Sequence, residues 1–377
     1  CDGDNVDYSI TSDVAGTTYQ WIGAVTSGTV TGVTTTTQHT ALINDVLDNT
    51  GTTQAVIEYT ITPTGPATTI CEGDPFTFTV TVEPTPEVNA TNNTAVICDG
   101  GITDIALDNN SVSGSVATTY TWTAAVQTSP AGGSLSGFSD CTSGCGTVIA
   151  QTINNTGTSQ GVVRYTITPS IGACDGAPIT VDVTINPSAQ VNEPADDVAC
   201  DEATVAQLNF STDRTDGTTT YSWANDNTSI GLAASGSDAF VPSFTATNSG
   251  TSPITGTITI SPSYENGGVS CSGPDESYTV TVNPIAQVNN PGTQTWCNGA
   301  DAKLVFTTDR TGGTTTYDWT NDNSSIGLGA SGSDSLSFTA TSIGTSPDTA
   351  TIEVTPTFSN GGENCTGPSE TFTIIVN

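Results

Sequence analysis

The sequence predicts an all-β chain of four tandem β-sandwich modules strung into an extended rod. Three observations carry that prediction. A single stretch is written four times, at Thr17-Thr18-Tyr19-Gln20-Trp21, Thr118-Thr119-Tyr120-Thr121-Trp122, Thr218-Thr219-Thr220-Tyr221-Ser222-Trp223 and Thr314-Thr315-Thr316-Tyr317-Asp318-Trp319. Its Trp recurs at a step of roughly a hundred residues, the mark of a repeated module. Alternating apolar runs at 76–82, 179–185 and 278–282 each end just before Glu83-Pro84, Asn186-Pro187 or Asn283-Pro284, and period-two alternation over that length is a half-buried strand. No window holds a sustained 3.6-residue apolar period.

The repeated stretch comes first in each module. Tyr and Trp two residues apart fall on one face of a strand. A β-branched run ending in two same-face aromatics suits a strand with one buried side. Tyr19 and Trp21, Tyr120 and Trp122, Tyr221 and Trp223, and Tyr317 and Trp319 are therefore the expected core anchors. Repeat 3 shows the remaining strands at 204–210, 219–224, 240–247 and 255–261, broken by the turns Asn248-Ser249-Gly250 and Glu265-Asn266-Gly267-Gly268. Strands every 8–12 residues with Gly, Asn and Pro turns predict an immunoglobulin-like sandwich. The boundaries fall at 1–84, 85–187, 188–284 and 285–377, and about a hundred residues can bury a core of their own. The joining segments are short and each carries a proline, which predicts stiff connections.

The repeats form two pairs. Repeats 1 and 2 share 49–54 with 155–160 and Tyr59-Thr60-Ile61-Thr62-Pro63 with Tyr165-Thr166-Ile167-Thr168-Pro169. Repeats 3 and 4 share Ser229-Ile230-Gly231-Leu232, Ser235-Gly236-Ser237, Phe244-Thr245-Ala246-Thr247, Gly250-Thr251-Ser252-Pro253, Asn266-Gly267-Gly268 and Cys271-Ser272-Gly273-Pro274, answered at 325–328, 331–333, 338–341, 344–347, 360–362 and 365–368. This run resembles the PKD-like repeats of very large cell-surface proteins of Bacteroidota. The resemblance covers nearly all of 200–377; within 1–190 it rests on the Tyr-x-Trp stretch, the cysteines and the closing strand. It implies a surface adhesin or filament exported by the type IX secretion system, gliding-motility adhesins included, and it brings no catalytic residue.

Composition narrows the function. The 377 residues hold 38 Asp and Glu against four basic residues, Arg164, Arg214, Lys303 and Arg310, for a net charge of −34. Such a chain repels phosphate backbones and anionic lipid, so neither nucleic acid nor membrane insertion is expected. It also offers trypsin almost nothing. With no methionine, and ends that cut into the repeat pattern, the chain is expected to be a piece of a longer array.

Ten cysteines are the strongest chemical signal. Each repeat has one near its start and one before its closing strand, at 1 and 71, 98 and 174, 200 and 271, and 297 and 365. These near-equal spans predict four disulfides within the modules, Cys1–Cys71, Cys98–Cys174, Cys200–Cys271 and Cys297–Cys365, and an oxidising, extracellular compartment. Each would be worth roughly 4 kcal/mol in the chain-entropy account. A metal–thiolate site lacks a Cys-x-x-Cys and a partner histidine. Cys1 as an acylated lipoprotein residue is set aside by its equivalence to Cys98, Cys200 and Cys297. Cys141–Cys145, found only in repeat 2, is expected to close a small fifth loop; no basic neighbour lowers either thiol for redox chemistry.

Other constellations are weaker. His39 is the sole histidine and no Gly-x-Ser-x-Gly accompanies it, so no catalytic residue is expected. Asp226 and Asp322, like Asp238 and Asp334, are repeat-equivalent, which does not suit a catalytic carboxylate pair. Acidic groups at Asp2, Asp4 and Asp7, Asp99 and Asp104, Asp201 and Glu202, and Glu193, Asp196 and Asp197 have the oxygen chemistry of Ca2+ ligands. No complete Asp-x-Asp-x-Asp-Gly loop accompanies them, so a solvated acidic face is the favoured reading and no cofactor is assigned. Arg214 and Arg310 share one repeat position, in the role of an ion pair within the module or a contact to the next repeat. Asp334-Ser335-Leu336 and Asp348-Thr349-Ala350 resemble O-glycosylation sites of Bacteroidota, at Ser335 and Thr349. Trp296, the one Trp outside the repeated stretch, is the first candidate for stacking on polysaccharide; its alternative is packing at the junction of repeats 3 and 4. The expected function is a structural stalk that spaces a distal adhesive tip, with neighbouring repeats as partners. Polysaccharide-binding modules and accessory domains of a secreted hydrolase are the alternatives.

Overall fold

The computed structural model describes residues 1–67 and 70–377. Among them every regular element is a strand, apart from single 3-10 turns at Thr228–Ile230 and Ser324–Ile326. The chain divides into two compact units, Cys1–Ser188 with Asn266–Cys271, and Ala189–Glu265 with Ser272–Asn377.

In the first unit, the repeated stretch of repeat 1 lies in the strand Thr18–Ser27, which pairs antiparallel with Ala55–Thr64, itself paired with Phe76–Val82. Short strands Asp4–Asn5, Val46–Asn49 and Val30–Thr31 form a further sheet. Alternate side chains of Ala55–Thr64 point inward, so Ile57, Tyr59 and Ile61 meet Trp21, Ile43 and Leu47 in one apolar cluster. Repeat 2 repeats the plan with Thr119–Thr128, Gly161–Ile171 and Ile179–Asn186, and Val96–Cys98 joins the sheet parallel to that last strand. Its core gathers Tyr120, Trp122, Ile149, Ile153, Tyr165 and Val183.

In the second unit, repeat 3 orders Asp197–Cys200, Glu276–Asn283, Ile254–Asn266, Thr218–Asn225 and Ser235–Gly236 into one sheet. Repeat 4 matches it with Gln294–Trp296, Glu370–Val376, Asp348–Asn360, Thr314–Asn321 and Ser331–Ser333. In both, the first strand of the sheet runs parallel to the closing strand and the others are antiparallel. The two cores centre on Tyr221 and Trp223, and on Tyr317 and Trp319. Seven of the eight expected anchors are buried, and Tyr19 is half-buried against its cluster. Trp223 lies across from Gly236 and Trp319 across from Gly332, where any Cβ would come within 2.6 Å and 2.3 Å of the indole rings. Those glycines make room for a flat aromatic under a sheet edge.

Candidate functional site

The residues that set this chain apart from a plain row of sandwiches lie where repeats meet. The paired cysteines are Cys1–Cys174, Cys98–Cys271, Cys141–Cys145 and Cys200–Cys365. The small loop in repeat 2 is closed. The pairings Cys1–Cys71, Cys98–Cys174, Cys200–Cys271 and Cys297–Cys365 are not formed: each of the three long disulfides runs from the start cysteine of one repeat to the late cysteine of the next. Cys71 and Cys297 are exposed.

Sheet geometry gives the reason. Cys200 stands in register with Asn283, at the far end of the closing strand Glu276–Asn283. Cys271 precedes Glu276, at the near end. Seven residue steps at about 3.4 Å put the two ends about 24 Å apart, and a disulfide needs Cα atoms within about 7 Å. The start and late cysteines of one sandwich therefore sit at opposite ends of it. Across a boundary the Cα atoms stand 5.4–5.5 Å apart. The near-equal spans fitted both patterns, because shifting every late cysteine by one repeat keeps the spacing regular.

A hairpin builds each joint. In the second unit, the long strand Asp348–Asn360 turns at Gly361-Gly362 and returns as Glu363–Thr366, with Phe358 opposite Cys365. Gly361 has φ +61°, and a Cβ there would meet Val198 Cγ2 at 3.0 Å. Beside it Asn283 and Asn360 bond each other twice: Asn283 Nδ2 donates to the Asn360 main-chain carbonyl at 3.0 Å, and Asn360 Nδ2 to Asn283 Oδ1 at 2.9 Å. Cys200, Phe358, Cys365 and Ala286 close over this point as a small apolar cluster. In the first unit, residues Asn266–Cys271 do the same against repeat 2. Asn186 Nδ2 donates to the Asn266 carbonyl at 2.9 Å, Gly267 at φ +60° packs on Val96, and Cys271 bonds Cys98.

A second contact lies on another edge of the joint. Arg310 Nη1 donates to the Gly250 carbonyl at 2.7 Å and the Thr311 amide to the Thr251 carbonyl at 2.9 Å, so Arg310 contacts the preceding repeat. The Ser113 amide makes the corresponding bond to the Thr52 carbonyl at 2.9 Å. At that same joint Glu83 replaces the asparagine and accepts from the Ser115 amide at 2.9 Å and from Gln54 Nε2 at 2.8 Å. These bonds hold its carboxyl below the usual range against a burial that pushes it up.

The acids that follow the start cysteines have a structural task. Asp99 Oδ1 accepts from the Asn155 amide and Asp201 Oδ1 from the Asn248 amide, both at 2.7 Å, and Asp2 accepts from the Asn49 amide. Asn49, Asn155 and Asn248 are buried and tie their own turn to the closing strand through Val82, Ile185 and Val282 carbonyls. Asp196 Oδ1 accepts from the Thr279 amide at 2.7 Å. Among the described residues no three His, Cys, Asp or Glu side chains gather as a metal-ligand group. Trp296 packs edge-on to Phe338, centroids 5.7 Å apart, against the core of repeat 4. His39, Ser335 and Thr349 are exposed. No signal marked Asn186 and Asn283 as joint residues beyond their place before a proline.

A family model described as a PKD-like domain matches residues 1–86 and 95–189. That is the half in which the fewest shared motifs stand. No curated protein matches in sequence. Among solved structures, the chain is similar to Drosophila N-cadherin EC1-4 (10% identity, 100% of this chain and 96% of that one, TM-score 0.30), to three N-terminal domains of the bacteriophage RB49 highly immunogenic outer capsid protein (10%, 78% and 99%, 0.37) and to the insect immune protein hemolin (11%, 99% and 96%, 0.24). At such scores they say nothing of ligands or partners. The chain is a tandem of β-sandwich repeats, and the PKD-like match falls on the first two of them. Its four disulfides are those of a chain that folds in an oxidising, extracellular-type compartment. No helix among the described residues is long and apolar enough to cross a membrane.

Proposed function

We propose that these repeats are a tension-bearing stalk segment of a long surface adhesin or filament, spacing a distal tip from the cell. One observation carries the reading: the three long disulfides join each repeat to its neighbour. A disulfide inside a sandwich stabilises that sandwich alone. One that crosses a boundary makes consecutive sandwiches a single covalent body, which a ligand-binding module does not need and a load-bearing one does. The four-fold recurrence of the core residues and the crossed disulfide at all three boundaries support the same reading, as does the resemblance to Bacteroidota surface repeats. The strong negative charge keeps neighbouring stalks apart in solution.

The test is deletion of residues 188–284 from the intact surface protein. That removes Cys200 and Cys271 together and leaves Cys98 facing Cys365, its equivalent partner. Electron microscopy of cells should show a shorter projection with adhesion unchanged. Loss of adhesion by a variant that is exported and displayed normally would overturn the stalk and favour a binding role for the repeats.

A further inference from the structure

Repeat 4 carries at one end the positions equivalent to those that hold a neighbour's hairpin in repeats 2 and 3. In repeat 2 the hairpin sits on Val96, Cys98 and Asn186. In repeat 3 it sits on Val198, Cys200 and Asn283. The equivalent positions in repeat 4 are Thr295, Cys297 and Asn377. Backbone bonds confirm the equivalence. Asn186 and Asn283 carbonyls accept from the amides of Asp99 and Asp201, and the Asn377 carbonyl accepts from Asn298, each at 2.8 Å. Cys297 is an exposed free thiol.

A second feature of that end points to a partner independently of the thiol. The segment Gly250–Pro253 of repeat 3 receives Arg310 and Thr311, and Gly312 packs on Pro253. Its counterpart in repeat 4 is 344–347. Beside it stands Ile343, 96% exposed, the most exposed large apolar side chain among the described residues. The Ser342 amide bonds Asn298 Oδ1 at 3.1 Å, which places this segment next to Cys297.

We propose that this end of repeat 4 is a socket for the Asn-Gly-Gly…Cys hairpin of another module of the same kind, closed by a disulfide to Cys297. The occupant is identified by the two filled sockets. It needs glycine at the turn to lie flat on residue 295, a backbone carbonyl for the Asn377 amide, and a cysteine placed after its asparagine as Cys271 is after Asn266 and Cys365 after Asn360. Closure is a two-electron oxidation. Two thiols lose two protons and two electrons, a small-molecule disulfide such as oxidised glutathione accepts them, and it leaves as two thiols. The inference rests on the repeat-to-repeat linkage above.

The test appends a second copy of residues 285–377, led by a proline, to the full chain and oxidises it in a glutathione buffer. Cys297 should then be linked to the appended copy's late cysteine in a non-reducing peptide map. Its alkylation by iodoacetamide should fall at least tenfold relative to the unextended chain. In the Cys297→Ser variant the appended late cysteine should remain alkylatable while the appended module still resists proteolysis. Undiminished alkylation of Cys297 beside a folded appended copy would overturn the socket. So would an appended copy that stays unfolded, since the identical sequence folds behind repeat 3. The Cys200–Cys365 link in the same digest reports separately on the stalk reading.

Discussion

Pulling on the chain distinguishes the disulfide patterns by length alone. With the long disulfides closed, the shortest covalent route from Cys1 to Cys365 crosses to Cys174, follows the backbone to Cys200 and crosses again. Only 26 residues (200 − 174) of polypeptide lie on it, about 90 Å when taut at ~3.5 Å per residue. The two crossings add 5.4 Å and 5.5 Å. Disulfides confined to single modules would leave three linkers of 26 or 27 residues on the route, about 280 Å. With every disulfide reduced, the 364 residues from 1 to 365 reach about 1,300 Å. Optical-trap extension of the oxidised chain, tethered at its termini, should therefore release almost no length, and added dithiothreitol should release more than tenfold more. Cys1→Ser with Cys174→Ser should lengthen the route to about 590 Å, by way of the backbone from Cys1 to Cys98 and back from Cys271 to Cys200. Removing Cys98 and Cys271 should leave the extension unchanged. A contour of about 280 Å in the untreated chain would refute the crossed pairing and, with it, the covalent continuity of the repeats.

Gly361→Val should destabilise the joint by about 1–3 kcal/mol, since the new side chain meets Val198 at a left-handed backbone position; an unchanged melting temperature would contradict the packing. Alkali should unfold the chain cooperatively. Burial pushes the phenols of Tyr165 and Tyr278 up to about 12, so both stay protonated when folded while an unfolded tyrosine ionises near 10. Their contribution, about 2–3 kcal/mol each, is fully present below pH ~10 and is lost as pH rises toward 12. Tyrosinate absorbance from these two should rise together with loss of circular dichroism; ionisation near 10 with the fold intact would disprove it. Trp296→Ala should lower stability by about 1–2 kcal/mol through lost packing on Phe338. A glycan array should show no binding by either form, and binding that this substitution abolishes would restore the polysaccharide reading.

The strands and their faces were legible because period-two burial is a local property. Tyr and Trp two apart had to share a face, and the alternation at 278–282 had to have one buried side. The joints were not legible, because a one-dimensional spacing does not say which end of a sandwich a residue occupies. Cys200 and Cys271 are separated by most of a repeat in the chain and by a full strand length in the fold. The fact that separates them is the parallel pairing of Asp197–Cys200 with Glu276–Asn283, and so short a run does not reveal its partner's direction. Charge alone does not show what the acidic residues after the cysteines do, whereas their position beside a buried asparagine turn decides it. The duplication of Arg214 and Arg310 suggests an ion pair within the module or a contact to the next repeat, whereas Arg310 donates to a carbonyl of the preceding one.

The overlap of the three long disulfides has a consequence for survival outside the cell. Residues 1–174 lie inside the first loop, 98–271 inside the second and 200–365 inside the third, so every peptide bond from 1 to 365 is spanned by at least one of them. A protease can make a single cut anywhere in that range and the two fragments stay joined. The link Cys98–Cys271, idle under simple tension, alone guards the stretch between Cys174 and Cys200. Disulfides kept within modules would have left three exposed places where one cut severs the molecule and sheds everything beyond it.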